Sequence, residues 1–239
     1  MKDLAEPTGL TIFVGRFGSG KTETAINYAL WLARDGQQAG GGGDGSEAAG
    51  RVLLIDLDIV TPYFRSREMA EKMRQHRVEV IAPAAVGQQL DTPAITPQIL
   101  GAIQQTERPV VVDVGGDRQG ARALGQFSAA ARRRGYAMNF VVNPYRPFTD
   151  TLTGLTNSIS EIEASARLRM TALVSNPNLM GETNAEQIIA GHAQIEQFAR
   201  ALKLPIAFVC LERRWADELG HSFAQPVLIL ERHFVMSWE

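Results

Sequence analysis

The chain has 239 residues, 45% hydrophobic and 21% charged, and its 24 lysines and arginines against 26 acids give a formal net charge of −2. That length suits one sizeable α/β domain spanning 1–239 and excludes a disulfide-stapled mini-protein, while the near-balanced charge argues against nucleic acid as a partner. A single cysteine excludes a Cys-pair metal centre built by one subunit, and no apolar run approaches the roughly 18–20 residues that cross a bilayer, so a cytoplasmic protein with no membrane partner is expected.

Short apolar runs alternate with longer helical patterns, the signature of βαβ units. Strands are predicted at 10–14, 52–57, 78–81, 110–114, 139–142, 171–174, 206–210 and 227–230. Helices are predicted at 21–34, 66–76, 97–106, 119–134, 149–165 and 183–203, the last opening on the capping-box pattern Thr183-Asn184-Ala185-Glu186. Several strands are apolar throughout, as strands covered on both faces are. The expected architecture is therefore a three-layer α/β fold, a mostly parallel twisted sheet of about 7–8 strands with helices on both faces. Six of the 22 glycines fall within 40–50, so 35–50 reads as a flexible insertion.

The strongest chemical signal is Gly15-Arg16-Phe17-Gly18-Ser19-Gly20-Lys21-Thr22, which matches G-x-x-x-x-G-K-[ST] between a strand and a helix. Glycines let the backbone curl so that successive N–H groups face phosphate oxygens, and the following helix adds its positive N-terminal end. Lys21 then reaches the β- and γ-phosphates and the Thr22 hydroxyl ligates Mg²⁺. The expected nucleotide-binding residues are Gly15, Phe17, Gly18, Ser19, Gly20, Lys21, Thr22 and Glu23, which makes the chain a P-loop NTPase. A dinucleotide fingerprint fails because Glu23 stands where its third glycine belongs.

Two strands end in acids that suit such a loop. Val110-Val111-Val112-Asp113 closes on a carboxylate and is followed by Gly115 and Gly116, where an N–H can approach a γ-phosphate without interference from a Cβ. In Leu54-Ile55-Asp56-Leu57-Asp58, alternation places both acids on one side of the strand end. Asp113 and Asp56 are the expected metal-side acids beside Thr22. Asp56 and Asp58 could each face Mg²⁺ through water or position the attacking nucleophile.

Three segments in order, GRFGSGKT, DLDIVTPYFRSRE and DVGGDRQGAR, resemble the MinD/ParA-like P-loop ATPases. The likeness extends more loosely to Asn143-Pro144 and Ser175-Asn176-Pro177. This resemblance implies ATP and Mg²⁺ as cofactors, a homodimer closed around ATP, and slow hydrolysis. It also implies Asp58 as the switch residue that orients water, Asp113 as the metal-side acid, Gly116 as the γ-phosphate sensor and Asn176 as a reader of the adenine edge. Arg16 stands where that family carries its signature lysine, which makes it a catalytic candidate with Lys21 and Asp58.

Other features have plainer readings. Arg132-Arg133-Arg134 complements a helix dipole, the four histidines lack ligand spacing, and Cys210 is a buried small hydrophobe. Tyr63, Phe64, Arg65 and Arg67 follow Asp58; the plain reading has Phe64 packing and the arginines solvated, and the alternative is a switch segment that contacts a partner. The long segment 83–97 lies near the carboxyl ends of the strands and is the expected substrate or partner surface. The leading expectation is a nucleotide-dependent dimerisation switch with ATPase activity. The alternatives are an ATP-dependent small-molecule ligase or kinase on the same fold, and a non-hydrolysing nucleotide-responsive adaptor.

Overall fold

A computed structural model describes Leu4 and residues 9–38, 52–58, 67–81, 97–105 and 108–232. The segments 35–50 and 83–97 thus lie largely outside the described residues, as do Tyr63, Phe64, Arg65 and the side chain of Arg67. Eight strands form one sheet: β1 Leu10–Val14, β2 Val52–Leu57, β3 Val78–Ile81, β4 Val110–Val114, β5 Ala137–Val142, β6 Ala172–Ser175, β7 Ile206–Glu212 and β8 Val227–Leu230. Their order is β3-β2-β4-β1-β5-β6-β7-β8, and every pair is parallel.

The alternation of side chains along β1 explains why both faces are covered. Leu10, Ile12 and Val14 pack with Ile99, Leu124 and Leu155 on one face, while Phe13 packs with Ala25, Ile26 and Ala29 on the other. The first face receives α3 Pro97–Gln105, α4 Arg118–Gly125, α5 Ser128–Arg134, α6 Leu152–Ala166 and α7 Ala185–Leu202. The second receives α1 Lys21–Gln38 and, through Met73, α2 Arg67–Gln75. A short α8, Ala216–Leu219, sits by β7 and β8 in a smaller apolar cluster. Cys210 is buried among the α1-side residues, and burial pushes its thiol up to about 12.

Several helix boundaries depart from expectation, among them the start of α6, which lies at Leu152 rather than 149 because Thr151 Oγ1 accepts from Gly154 N–H as its cap. The helix predicted at 119–134 divides, because α4 stops at Gly125, where a Cβ would lie 2.6 Å from the Ser165 carbonyl oxygen of α6. The capping box of α7 falls one residue later: Asn184 Oδ1 accepts from Gln187 N–H, and the Gln187 side chain accepts from Asn184 N–H, each at 2.9 Å. Thr183 is not available as the cap because its hydroxyl oxygen accepts from Leu179 N–H at 2.7 Å. Helix α1 runs to Gln38, four residues into the segment assigned to the insertion.

The basic run at the end of α5 acts within the fold. Arg134 donates to the carbonyls of Ala102 at 2.9 Å, Ile103 at 3.2 Å and Arg108 at 2.7 Å, and so caps the C-terminal end of α3. Arg134→Ala is expected to lower stability by about 1–3 kcal/mol, since three carbonyls lose a cationic donor, and Arg134→Lys to recover only part. Urea unfolding midpoints of the three proteins measure this. Equal midpoints would remove Arg134 from the packing of α3.

Candidate functional site

In a doubly wound sheet, ligands bind at the carboxyl ends of the strands where the order reverses. Here β2, β3 and β4 lie to one side of β1 and β5 to β8 to the other, so that point is the end of β1, where the loop Gly15–Thr22 begins. The loop bends through Gly18 (φ +75°) and Gly20 (φ +84°) before Lys21 opens α1. A side chain at Gly20 would be strained at that φ and would collide with the Asn176 amide nitrogen. That amide, buried at the end of β6, donates to the Ser19 carbonyl oxygen at 2.7 Å and braces the loop from beneath.

The two acidic strand ends meet the loop. Asp56 of β2 and Asp113 of β4 are neighbours in register. Thr22 Oγ1 donates to Asp113 Oδ2 at 2.6 Å, and Lys21 Nζ stands 3.8 Å from Asp58 Oδ2. Asp58 N–H donates to Asp56 Oδ1 at 2.8 Å, so Asp56 shapes the chain leading into Asp58. Lys21, Asp56, Asp58 and Asp113 are all buried. Burial pushes the Asp113 carboxyl up to about 6; Lys21 and the Thr22 hydroxyl pull it down, and the Asp58 charge raises it further. Its other oxygen, Oδ1, is buried with no hydrogen-bond partner among the described residues, as is Ser19 Oγ. Gly116 packs directly on the loop, where a Cβ would lie 2.8 Å from Phe17 N.

Three of the expected residues are engaged or directed elsewhere. Arg16 Nε donates to Ser158 Oγ at 2.9 Å and its Nη2 to Glu161 Oε2 at 2.5 Å, both on α6, and its guanidinium lies 5.4 Å from the centroid of Phe148. Glu161 also pairs with Arg118 Nε at 2.8 Å, so one carboxylate joins the loop to the first residue of α4. Glu23 receives the Asn27 amide, through its backbone oxygen at 2.9 Å, within α1. Phe17 extends into solvent at 79% exposure.

One residue that the motifs did not mark lies against the loop. Arg146, in the turn after β5, places its Nε and Cδ 3.4 and 3.6 Å from where a Cβ on Gly18 would sit. Its position in Asn143-Pro144-Tyr145-Arg146-Pro147 carries no motif. The available signal was a cation just beyond a strand end, which becomes informative only once β5 is known to flank β1.

The parallel sheet and the loop at the end of β1 define a P-loop NTPase-like α/β fold. Among solved structures, the chain is similar to cell division protein FtsY from Thermotoga maritima, with 16% identity and a TM-score of 0.53 over 88% of this chain and 64% of that one. Chloroplast FtsY from Physcomitrella patens aligns with 14% identity and a TM-score of 0.49, over 87% of this chain and 60% of that one. The chain thus spans less than two thirds of the length of these structures. No family model and no curated protein matches the sequence. No helix among the described residues is long and apolar enough to cross a membrane.

Proposed function

We propose that the chain is a Mg²⁺-dependent P-loop nucleoside triphosphatase that works as a switch, with ATP as its nucleotide and a homodimer as its nucleotide-closed state. The observation that carries this reading is the meeting of Lys21 and Thr22 with the carboxylates of Asp58 and Asp113 at two strand ends. A hydroxyl, a buried carboxylate and an unbonded Asp113 Oδ1 form a hard oxygen donor set that fits Mg²⁺. Thr22 and Asp113 would hold the ion, Asp113 directly or through water, and Asp56 would support them from the adjacent strand. When bound, Mg²⁺ supplies charge neutralisation along the phosphates.

The chain's own groups have separate parts in this scheme. Lys21 and the Gly15–Thr22 backbone N–H groups bind and orient the phosphates, and Asp58 positions the attacking water once Lys21 has turned to the nucleotide. Gly116 lies close enough to the loop to register a γ-phosphate. Arg16, held within the chain by Glu161, links the loop to α4 and α6 and so couples its state to the switch segment after Asp113. The motif resemblance assigns Asn176 to the adenine edge, but its amide is committed to Ser19. Choice of base then rests on other residues.

Asp58→Ala tests the switch. The variant should retain ATP, hydrolyse it at least about 100-fold more slowly, and double its mass by light scattering with ATP but not with ADP. A mass unchanged by ATP, with turnover kept, would reject both the dimer and the role of Asp58.

A further inference from the structure

Among the described residues, Lys21, Arg16, Arg118 and Arg146 lie at or beside the loop, and three of these four cations face a carboxylate. Lys21 faces Asp58, while Arg16 and Arg118 share Glu161. Arg146 makes no ion pair among the described residues, and its Nε is buried with no hydrogen-bond partner. Buried donors left unbonded are rare in native structures because each forfeits its hydration without replacement.

The turn that carries Arg146 is built to hold it. Arg146 N–H donates to the Asn143 carbonyl at 3.2 Å, and Thr149 N–H donates back to the Arg146 carbonyl at the same distance. Thr149 Oγ1 donates to the Asn143 carbonyl at 2.7 Å, and the Tyr145 hydroxyl anchors the turn on the Gln187 carbonyl of α7 at 2.6 Å. The backbone is therefore fixed on both sides of a cation whose stem rests on Gly18, in the middle of the phosphate-cradling loop.

We infer that Arg146 is a phosphate-binding residue, a second cation that reaches the polyphosphate of the bound nucleotide across Gly18 and receives from it the missing acceptor and counter-charge. The inference rests on the nucleotide-binding reading above. Contact with the middle of the loop, rather than with its outer end, favours the phosphates over the base. A guanidinium suits this place because its planar donors match phosphate oxygens two at a time.

The test is equilibrium binding of fluorescent ATP and GTP analogues to the full chain, with inorganic tripolyphosphate as competitor, for the wild type, Arg146→Gln and Arg146→Lys. Arg146→Gln should weaken both the preferred analogue and tripolyphosphate by about 10- to 30-fold, and Arg146→Lys should recover part of each. Equal binding by wild type and R146Q would overturn the inference. So would a loss for the analogue without a loss for tripolyphosphate, which would assign Arg146 to the base or sugar. Should R146Q not fold, weaker tripolyphosphate binding by R146K, by about 3-fold or more, supports the contact, and R146K affinity equal to wild type rejects it. A folded wild-type protein that binds neither analogue would reject the nucleotide reading itself, and this inference with it.

Discussion

Replacing Lys21 by methionine is expected to lower nucleotide affinity at least about 100-fold and to abolish turnover, while leaving the protein folded. The ammonium group is buried, and its ion-pair partner among the described residues, Asp58 at 3.8 Å, is too far for a strong hydrogen bond. Lys21 is thus only loosely committed to Asp58 and can turn to a polyphosphate at little cost. Methionine keeps the stem that packs under the loop and removes only the charge. Stability should fall by no more than about 1–3 kcal/mol, because the Asp58 carboxylate loses a partially screened partner. Lys21→Arg should not restore binding, since a broad planar fork does not replace a compact ammonium with three rotatable donors at a buried position. Titration calorimetry with circular dichroism measures both quantities. Near-native affinity in Lys21→Met would mean that the loop does not hold phosphate as its motif predicts.

Asp113→Asn should have opposite effects on stability and on binding. With its carboxyl raised to about 6 in the folded chain, the native state holds a proton that the unfolded state has released, so stability falls as pH rises from about 4 through about 6. Above that range the ionised carboxylate costs the ligand-free protein roughly 3 kcal/mol, and asparagine removes the charge that must be buried. The variant should therefore be more stable than wild type at pH 8 by roughly 2–3 kcal/mol, and this gain should vanish near pH 4. It should also lose the Mg²⁺ dependence of nucleotide binding, and in the wild type that dependence should weaken about tenfold per pH unit below about 6. Urea unfolding across pH, with nucleotide titrations at several Mg²⁺ concentrations, gives both answers. A variant less stable than wild type at pH 8, or one with Mg²⁺ dependence intact, would contradict the assignment.

What could be read from the sequence follows from how local each signal is. Strands β1, β2, β3, β4 and β8 have the bounds predicted, because each is a short, mainly apolar run with a large share of β-branched or leucine side chains. The loop and its two acids were legible for the same reason, as short motifs at strand ends. The break between α4 and α5 was not, since the close approach of Gly125 to Ser165 is a tertiary contact. The Arg16–Glu161 pair joins residues 145 positions apart, and nothing local announces it. Asn176 was visible as a residue after a strand, but its bond to Ser19 depends on β6 standing two strands from β1. The motifs resemble MinD/ParA-like ATPases, whereas the solved structures reported are FtsY proteins.

Direct equilibrium binding of ATP and GTP to the purified chain, with Mg²⁺ and with chelator, tests the central claim most simply. The expected result is micromolar or tighter binding of one triphosphate, strengthened by Mg²⁺ and lost in Lys21→Met. A folded protein that binds neither triphosphate under either condition would contradict it.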